Sequence, residues 1–483
     1  MRRLDMAATA THPGVFIAGA WQAGEGETIE VRSPWDDSLV GSVGAATPDQ
    51  VDAAVKAAAD AFPAWRKTPL MVRVEICRKA YDICMERAPA IAKMISRETG
   101  KTIREAEEEM VEFTVDHFRR ASEDVIRYRG QVLPSTQEHN GSKRIMVVQE
   151  PIGVVAAVSP WNFPVDIAGI PIVYGLALGC TLVWKASEIA PICANMFVDV
   201  LHDAGFPPGT INLVHGRGDI GAQLVRHESV GSVVFTGSVE TGEKVARDAG
   251  LKNRVLELGG NGPQIVRADA NLERAADAAI TGCFYLAGQC CTAAERILVH
   301  RDVQDRFVEL LVERTNALKT GDPLDYATDM GPLATDANLN RTKEHVADAV
   351  AKGATVVHGG GADGRLHEPT VIVGVTSDMR IAKEETFGPV APIITFDTDE
   401  EAIRIANETE FGLTAAVFTE DLRIAWRYAE ELCHGTVHIN ETTNYWDQMA
   451  PFGGAKKSGS GRELSTHILD AMSETKQITW DVF

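Results

Sequence analysis

The chain has 483 residues, 45% of them hydrophobic, and carries 47 Lys and Arg against 68 Asp and Glu, a formal net charge of −21. That length buries large cores and predicts two to three domains. The negative balance argues against nucleic acid and anionic membrane as partners.

In chain order, residues 1–14 hold two arginines and no apolar run, which reads as a tail and not a signal peptide. Thr47-Pro48-Asp49-Gln50 predicts a capping box with proline at the first helical position, and Val51, Val55, Ala58 and Phe62 then share one helix face. "LPSTQEHNGSK" (133–143) is a polar interruption between strand-like pieces and predicts a hairpin leaving the body of its domain. The apolar run 167–184 is long enough to span a bilayer, but Pro171 and its glycines interrupt it. A buried helix over 171–178 and a buried strand over 181–184 fit it better.

Further buried strands are predicted at "IGVVAAVSP" (152–160), "CTLVWKAS" (180–187), "TINLVHG" (210–216), "SVVFTGS" (232–238) and "RVLELGG" (254–260), alternating with helical segments. This is the rhythm of a doubly wound nucleotide-binding sheet. "GRGDIG" (216–221), with Glu240 following, matches the dinucleotide fingerprint, but a short match among 42 glycines is weak, and a plain strand-to-helix turn is the preferred reading. A second α/β set begins near Asp269. It has a helix with Phe307, Leu310, Leu311 and Leu318 at helical spacing and strand runs at 355–361, 391–397, 413–419 and 436–440.

The 8 cysteines are sparse, with no C-x-x-C pair and no zinc spacing. No metal site is expected, and reduced thiols in the cytoplasm are. One stretch stands out. "FYLAGQCCTAAER" (284–296) sets Cys290 beside Cys291 between a helix-like and a strand-like segment. Adjacent side chains in an extended turn point in different directions, so only one need do chemistry. No histidine lies in the motifs around them, which makes a cysteine hydrolase the weaker reading.

Taken together, "SPWNFP" (159–164), "WKASE" (184–188), "FTGS" (235–238), "LELGG" (256–260), "GQCC" (288–291), "EETFGPV" (384–390) and "PFGGAKKSGSGRE" (451–463) resemble the NAD(P)-dependent aldehyde dehydrogenase superfamily, in its order and over nearly the whole chain. The resemblance implies an α/β fold with a Rossmann-like NAD-binding domain (1–127 and 150–258) and an α/β catalytic domain (259–457). A small β oligomerisation element with the C-terminal tail (128–149 and 458–483) would complete it. Its last strand, 474–483, would be an edge that pairs with a neighbouring subunit in a homodimer or homotetramer.

The resemblance also implies roles. Cys291 is the nucleophile and Cys290 a pocket residue. Thiolate adds readily to a carbonyl, giving a thiohemiacetal and then a thioester. Asn162 and the Cys291 N–H would hold the oxyanion, and Glu257 would activate the hydrolytic water. Lys185 completes the catalytic set and, with Trp161, Glu188, Ser238, Glu385 and Phe387, holds NAD. Glu188 would accept from the ribose 2′-hydroxyl and repel a 2′-phosphate. Two rivals remain: a CoA-acylating aldehyde dehydrogenase, which Glu257 speaks against, and a catalytically silent homologue, which the complete set Asn162, Lys185, Glu257 and Cys291 speaks against.

By family register the substrate pocket draws on Phe163, Asp166, Ile170, Tyr285, Cys290, Asn444, Trp446 and Phe452, with the helix "HFRRAS" (117–122) beside it. Arg119 or Arg120 would favour an acidic semialdehyde if it reached in, and a solvated helix face is the preferred reading for both. Aromatic walls and Asp166 favour a neutral, medium-sized aldehyde over an acidic one.

Overall fold

The computed structural model describes residues 14–128, 130–139 and 141–482. The tail reading of the N-terminus, up to residue 13, lies outside them.

A five-stranded parallel core runs, in spatial order, Ile211–Val214, Thr181–Lys185, Val154–Val158, Val230–Thr236 and Asn253–Glu257. Gly14–Ile17 and Ala20–Ala23 extend one edge antiparallel, and Gly459–Ser460 pairs antiparallel with the other. Side chains alternate between two cores. Val155, Ala157, Leu182 and Trp184 enter one apolar cluster, and Val154, Ala156 and Val183 the other. Both faces are therefore covered, as a parallel sheet requires. Helices Leu70–Thr99, Val115–Arg127, Asp166–Leu178 and Pro191–Ala204 cover the first face. Helices Pro48–Trp65, Gly218–Arg226 and Val239–Ala249 cover the second. The capping box at Thr47 and Gln50 is present.

The chain lays its first three parallel strands outward to one side, then returns to add Val230–Thr236 against Val154–Val158. Strand order reverses there, and a crevice opens at the carboxyl ends of those two strands.

The seven-stranded second sheet runs Thr355–His358, Thr370–Val373, Val390–Phe396, Arg296–His300, Pro263–Val266, Thr414–Phe418 and Thr436–Ile439, parallel except at its first pair. Its residues alternate likewise, with Ile297 and Val299 in one core and Leu298 in the other. Ser473–Asp481, Lys143–Pro151 and Gln131–Pro134 form a separate three-stranded antiparallel sheet, with Ser473–Asp481 at its edge.

The helix expected over 171–178 starts earlier, at Asp166, and carries Pro171 inside it. The cause is a remote cap. The Glu109 carboxylate accepts from the backbone N–H groups of Val165 (3.1 Å) and Asp166 (3.2 Å), satisfying donors that would otherwise be orphaned ahead of the proline. Among the described residues no helix is long and apolar enough to cross a membrane. "GRGDIG" forms a strand-to-helix turn in which Gly216 adopts φ +152°.

Candidate active site

Cys291 is a shared wall between two cavities. One, of ≈ 570 Å³, also touches Glu257, Cys290, Phe163, Asp166, Trp446 and Phe452. The other, of ≈ 620 Å³, opens at the strand-order reversal and touches Trp161, Asn162, Ser238, Gly259, Glu385 and Phe387.

The loop bearing Cys291 is built by strain and clamps. Leu286 (φ 52°), Ala287 (φ 53°) and Gly288 (φ 71°) turn left-handed in succession, a costly run for the two L-residues. A Cβ on residue 288 would stand 2.2 Å from the Gly388 carbonyl oxygen, so glycine is required there. Glu105 accepts from the Leu286 N–H (2.7 Å), and the Gln289 side chain accepts from the Ala334 N–H (2.9 Å) and from Asn338 Nδ2 (3.2 Å). These bonds hold the segment that ends in the two cysteines.

The two adjacent thiols titrate together. Its neighbour Cys291, with help from Thr292 (Sγ to Oγ1 3.0 Å), holds Cys290 down at about 7, while Cys290, burial and the charges of Glu257 and Glu385 push Cys291 well above the ordinary thiol value. Position separates the two sulfurs. Cys290 is 2% exposed and touches only the first cavity, whereas Cys291 touches both.

Asn162 is buried, and its Nδ2 donates to the Gln289 carbonyl at 3.1 Å. An amide nitrogen carries two N–H groups, so a second donor remains for an oxyanion near Cys291. Glu257 ends its strand buried, and among the described residues neither carboxylate oxygen has a hydrogen-bond partner. Burial, then neighbouring Glu463, pushes its pKa well above the usual carboxylate range. Such a group suits proton abstraction from water near neutral pH.

In the second cavity the Trp161 and Phe387 rings meet edge-on at 5.8 Å. Phe387 is held at φ 53° because Glu295 accepts from the backbone N–H groups of Thr386 and Phe387, both at 2.9 Å. Glu385 accepts from the Gly260 N–H at 2.8 Å, and burial, then Glu295, pushes it up to about 8. Ser238 caps the helix Val239–Ala249 at the cavity wall, so helix N–H groups and the Arg341 guanidinium face the same space. That donor set fits a dinucleotide pyrophosphate. Lys185 and Glu188 line neither cavity. They follow the neighbouring strand as an ion pair, Nζ to Oε2 3.0 Å. Burial alone would raise the Glu188 carboxyl, but Lys185, its own backbone N–H and Arg217 outweigh that and hold it below its ordinary value.

Three residues expected in the substrate pocket do not line the first cavity. Tyr285 stands behind Phe163, ring centroids 6.3 Å apart, and donates to Glu108 at 3.0 Å. Asn444 stands behind Thr292, accepting its hydroxyl at 2.7 Å. Arg120 turns away to Asp116, Nε to Oδ2 3.0 Å. In the place expected for an arginine is His117, whose Nε2 lies 2.7 Å from Asp166 Oδ1. Sequence reading also missed Phe113, Gln448, Glu463 and Arg341. The four-residue spacing of Phe113 and His117 was a usable signal, since it puts both on one helix face. Glu463 lay at the end of a quoted motif, and it reaches the cavity because the Phe452 and Glu463 backbones bond to each other, at 3.0 and 2.7 Å.

The chain matches the aldehyde dehydrogenase family over residues 21–478. It is 38% identical over 470 residues to succinate-semialdehyde dehydrogenase [NADP(+)] of Escherichia coli, covering 95% of this chain and 96% of that one. It is 39% identical over 480 residues to betaine aldehyde dehydrogenase of Mesorhizobium japonicum, covering 97% of each. The crystal structure of Staphylococcus aureus betaine aldehyde dehydrogenase in complex with NAD+ superposes with a TM-score of 0.93 at 34% identity, covering 97% of this chain and 95% of that one. The chain belongs to the aldehyde dehydrogenase family, NAD(P)-dependent oxidoreductases that convert aldehydes to acids.

Proposed function

We propose that Cys291 is the nucleophile, that Asn162 and the Cys291 backbone N–H hold the oxyanion, and that Glu257 activates the water that releases the acid. The carrying observation is that Cys291 borders both cavities, with Glu257 in one and Asn162 in the other. The sulfur adds to the carbonyl carbon of an aldehyde in the first cavity, and the developing alkoxide turns toward the second Asn162 N–H. Nicotinamide cofactor bound in the second cavity supplies the hydride acceptor. Trp161, Ser238, Arg341, Glu385 and Phe387 would hold it there, and Lys185 with Glu188 would hold its adenosine ribose. Water then attacks the thioester while Glu257 takes its proton. A water-activating carboxylate in the aldehyde cavity favours hydrolysis over transfer to CoA.

NAD is the preferred cofactor in this reading, because Glu188 is held ionised where a 2′-phosphate would fall. Asp166, and the lack of Lys or Arg on the substrate cavity among the described residues, disfavour an acidic semialdehyde. The domain division read from the sequence fits the separate cores of the sheets, although Gly459–Ser460, read there as tail, completes the edge of the first sheet. The edge strand Ser473–Asp481 suits pairing with a second copy, in a homodimer or homotetramer in the cytoplasm.

The test is NADH absorbance with hexanal, with and without CoA, in wild type and Cys291→Ala. Turnover that is independent of CoA and absent in the variant is expected. Turnover that needs CoA, or that survives the substitution, would overturn the reading.

A further inference from the structure

The substrate cavity is apolar in area but one-sided in charge. Four rings line it, from Phe113, Phe163, Trp446 and Phe452. Trp446 meets Phe113 at 5.1 Å and Phe163 at 5.8 Å, the latter at 89°, and the Phe163 ring is already engaged, with Lys101 Nζ 3.7 Å from its centroid and Tyr285 stacked on it. Besides Cys290 and Cys291, the titratable groups on the same walls are His117, Asp166, Glu257 and Glu463.

Several buried polar atoms on these walls have no hydrogen-bond partner among the described residues, His117 Nδ1 among them. Among the described residues Glu463 Oε1 and Gln448 Oε1 are buried without a partner, on residues 2% and 7% exposed, and both Glu257 oxygens are likewise unpartnered. Asp166 is hydrogen-bonded through its carboxylate only to His117 among the described residues. Burial and their acidic neighbours raise the Glu257 and Glu463 carboxyls above the usual range, so both favour the protonated form more than an ordinary carboxyl does, and a further negative charge on the same walls is costly. An anionic aldehyde body adds that charge, whereas a cation is drawn to the Asp166 carboxylate and to ring faces.

We propose that this cavity takes an aldehyde bearing a positively charged nitrogen, held by the Asp166 carboxylate beside the rings of Phe113 and Trp446. The inference rests on the dehydrogenase reading and names its substrate class. The neutral body expected from aromatic walls alone gives way once the carboxylates stand among them.

The test compares kcat/KM for trimethylammonioacetaldehyde, for its neutral isostere 3,3-dimethylbutanal and for succinic semialdehyde, in wild type, Asp166→Asn and Trp446→Leu. A ring face and a carboxylate together favour the cation by about tenfold or more in wild type. Each substitution is expected to shrink that ratio, and the semialdehyde is expected to be the poorest substrate. A neutral isostere equal to or better than the cation, or a ratio unmoved by both substitutions, would overturn the proposal. If no aldehyde yields NADH, the dehydrogenase reading fails by itself. Calorimetric binding of choline against 3,3-dimethylbutan-1-ol to Cys291→Ala then still decides the cation site, tighter choline supporting it and equal affinities refuting it.

Discussion

Gly260 lies against the backbone of Cys291: a Cβ on residue 260 would stand 2.1 Å from the Cys291 carbonyl oxygen. The turn leaving the strand of the first sheet that bears Glu257 thus meets the cysteine loop at a separation only glycine allows. Its N–H meanwhile donates to Glu385. Gly260→Ala must push the cysteine loop away, because the facing atom is backbone and cannot rotate aside. The expected outcome is a fall in kcat/KM of about 100-fold or more, as small misplacements of reacting groups allow. Steady-state kinetics beside a circular dichroism melt would check it. A folded variant with near wild-type kcat/KM would show that this contact does not set the nucleophile's position.

The buried carboxylates make stability pH-dependent in a definite sense. Burial, then Asp166, pushes Glu463 up to about 8. An unfolded chain ionises the same group at about 4.3. The folded state therefore binds this proton more tightly, and the stability it gives is full below the unfolded value and lost as pH rises through 8. Wild type is expected to lose Tm between pH 6 and pH 9 more steeply than Glu463→Gln, which cannot ionise. Parallel thermal melts across that range measure the difference. Equal slopes would mean that Glu463 is ionised in the folded protein throughout.

Much of this was legible in the sequence, for physical reasons that also mark its limit. Continuous apolar runs such as 154–158 and 181–185 announce strands buried on both faces, and Thr47-Pro48-Asp49-Gln50 announces its own helix start. Cys291, Glu257 and Asn162 stand in motifs whose chemistry is local. What could not be read locally came from afar. The early start of the 166–178 helix depends on Glu109, more than 50 positions upstream in the chain. The polar side of the substrate cavity depends on His117 meeting Asp166 and on a backbone pairing that folds Glu463 back to Phe452. Arg120 was a candidate only because its charge was visible and its partner Asp116 was not weighed.

That partner gives a prediction. Arg120 is committed to Asp116 outside the cavity, and a partly exposed pair of this kind contributes little. Arg120→Ala should leave kcat/KM for succinic semialdehyde within about threefold of wild type. A selective loss for the semialdehyde, with hexanal unaffected, would show that the arginine swings in to meet an anion.

Glu188 should govern cofactor choice. Its carboxylate is paired with Lys185 at 3.0 Å and held ionised. A 2′-phosphate brought against it is repelled, so wild type is expected to prefer NAD over NADP by about tenfold or more in kcat/KM. Glu188→Gln should narrow that ratio mainly through KM for NADP. A wild type that uses both cofactors equally would contradict this.

The division of labour between Cys291 and Glu257 is open to one direct measurement. Glu257→Gln is mixed with NAD and a good aldehyde substrate, quenched in acid, and the peptide spanning residues 284–296 is sequenced by mass spectrometry. The expected result is a stoichiometric burst of NADH with an acyl group on Cys291 and none on Cys290, because the thioester forms and cannot be hydrolysed. A full burst with the acyl group on Cys290, or no burst and no acyl-enzyme at all, would contradict it.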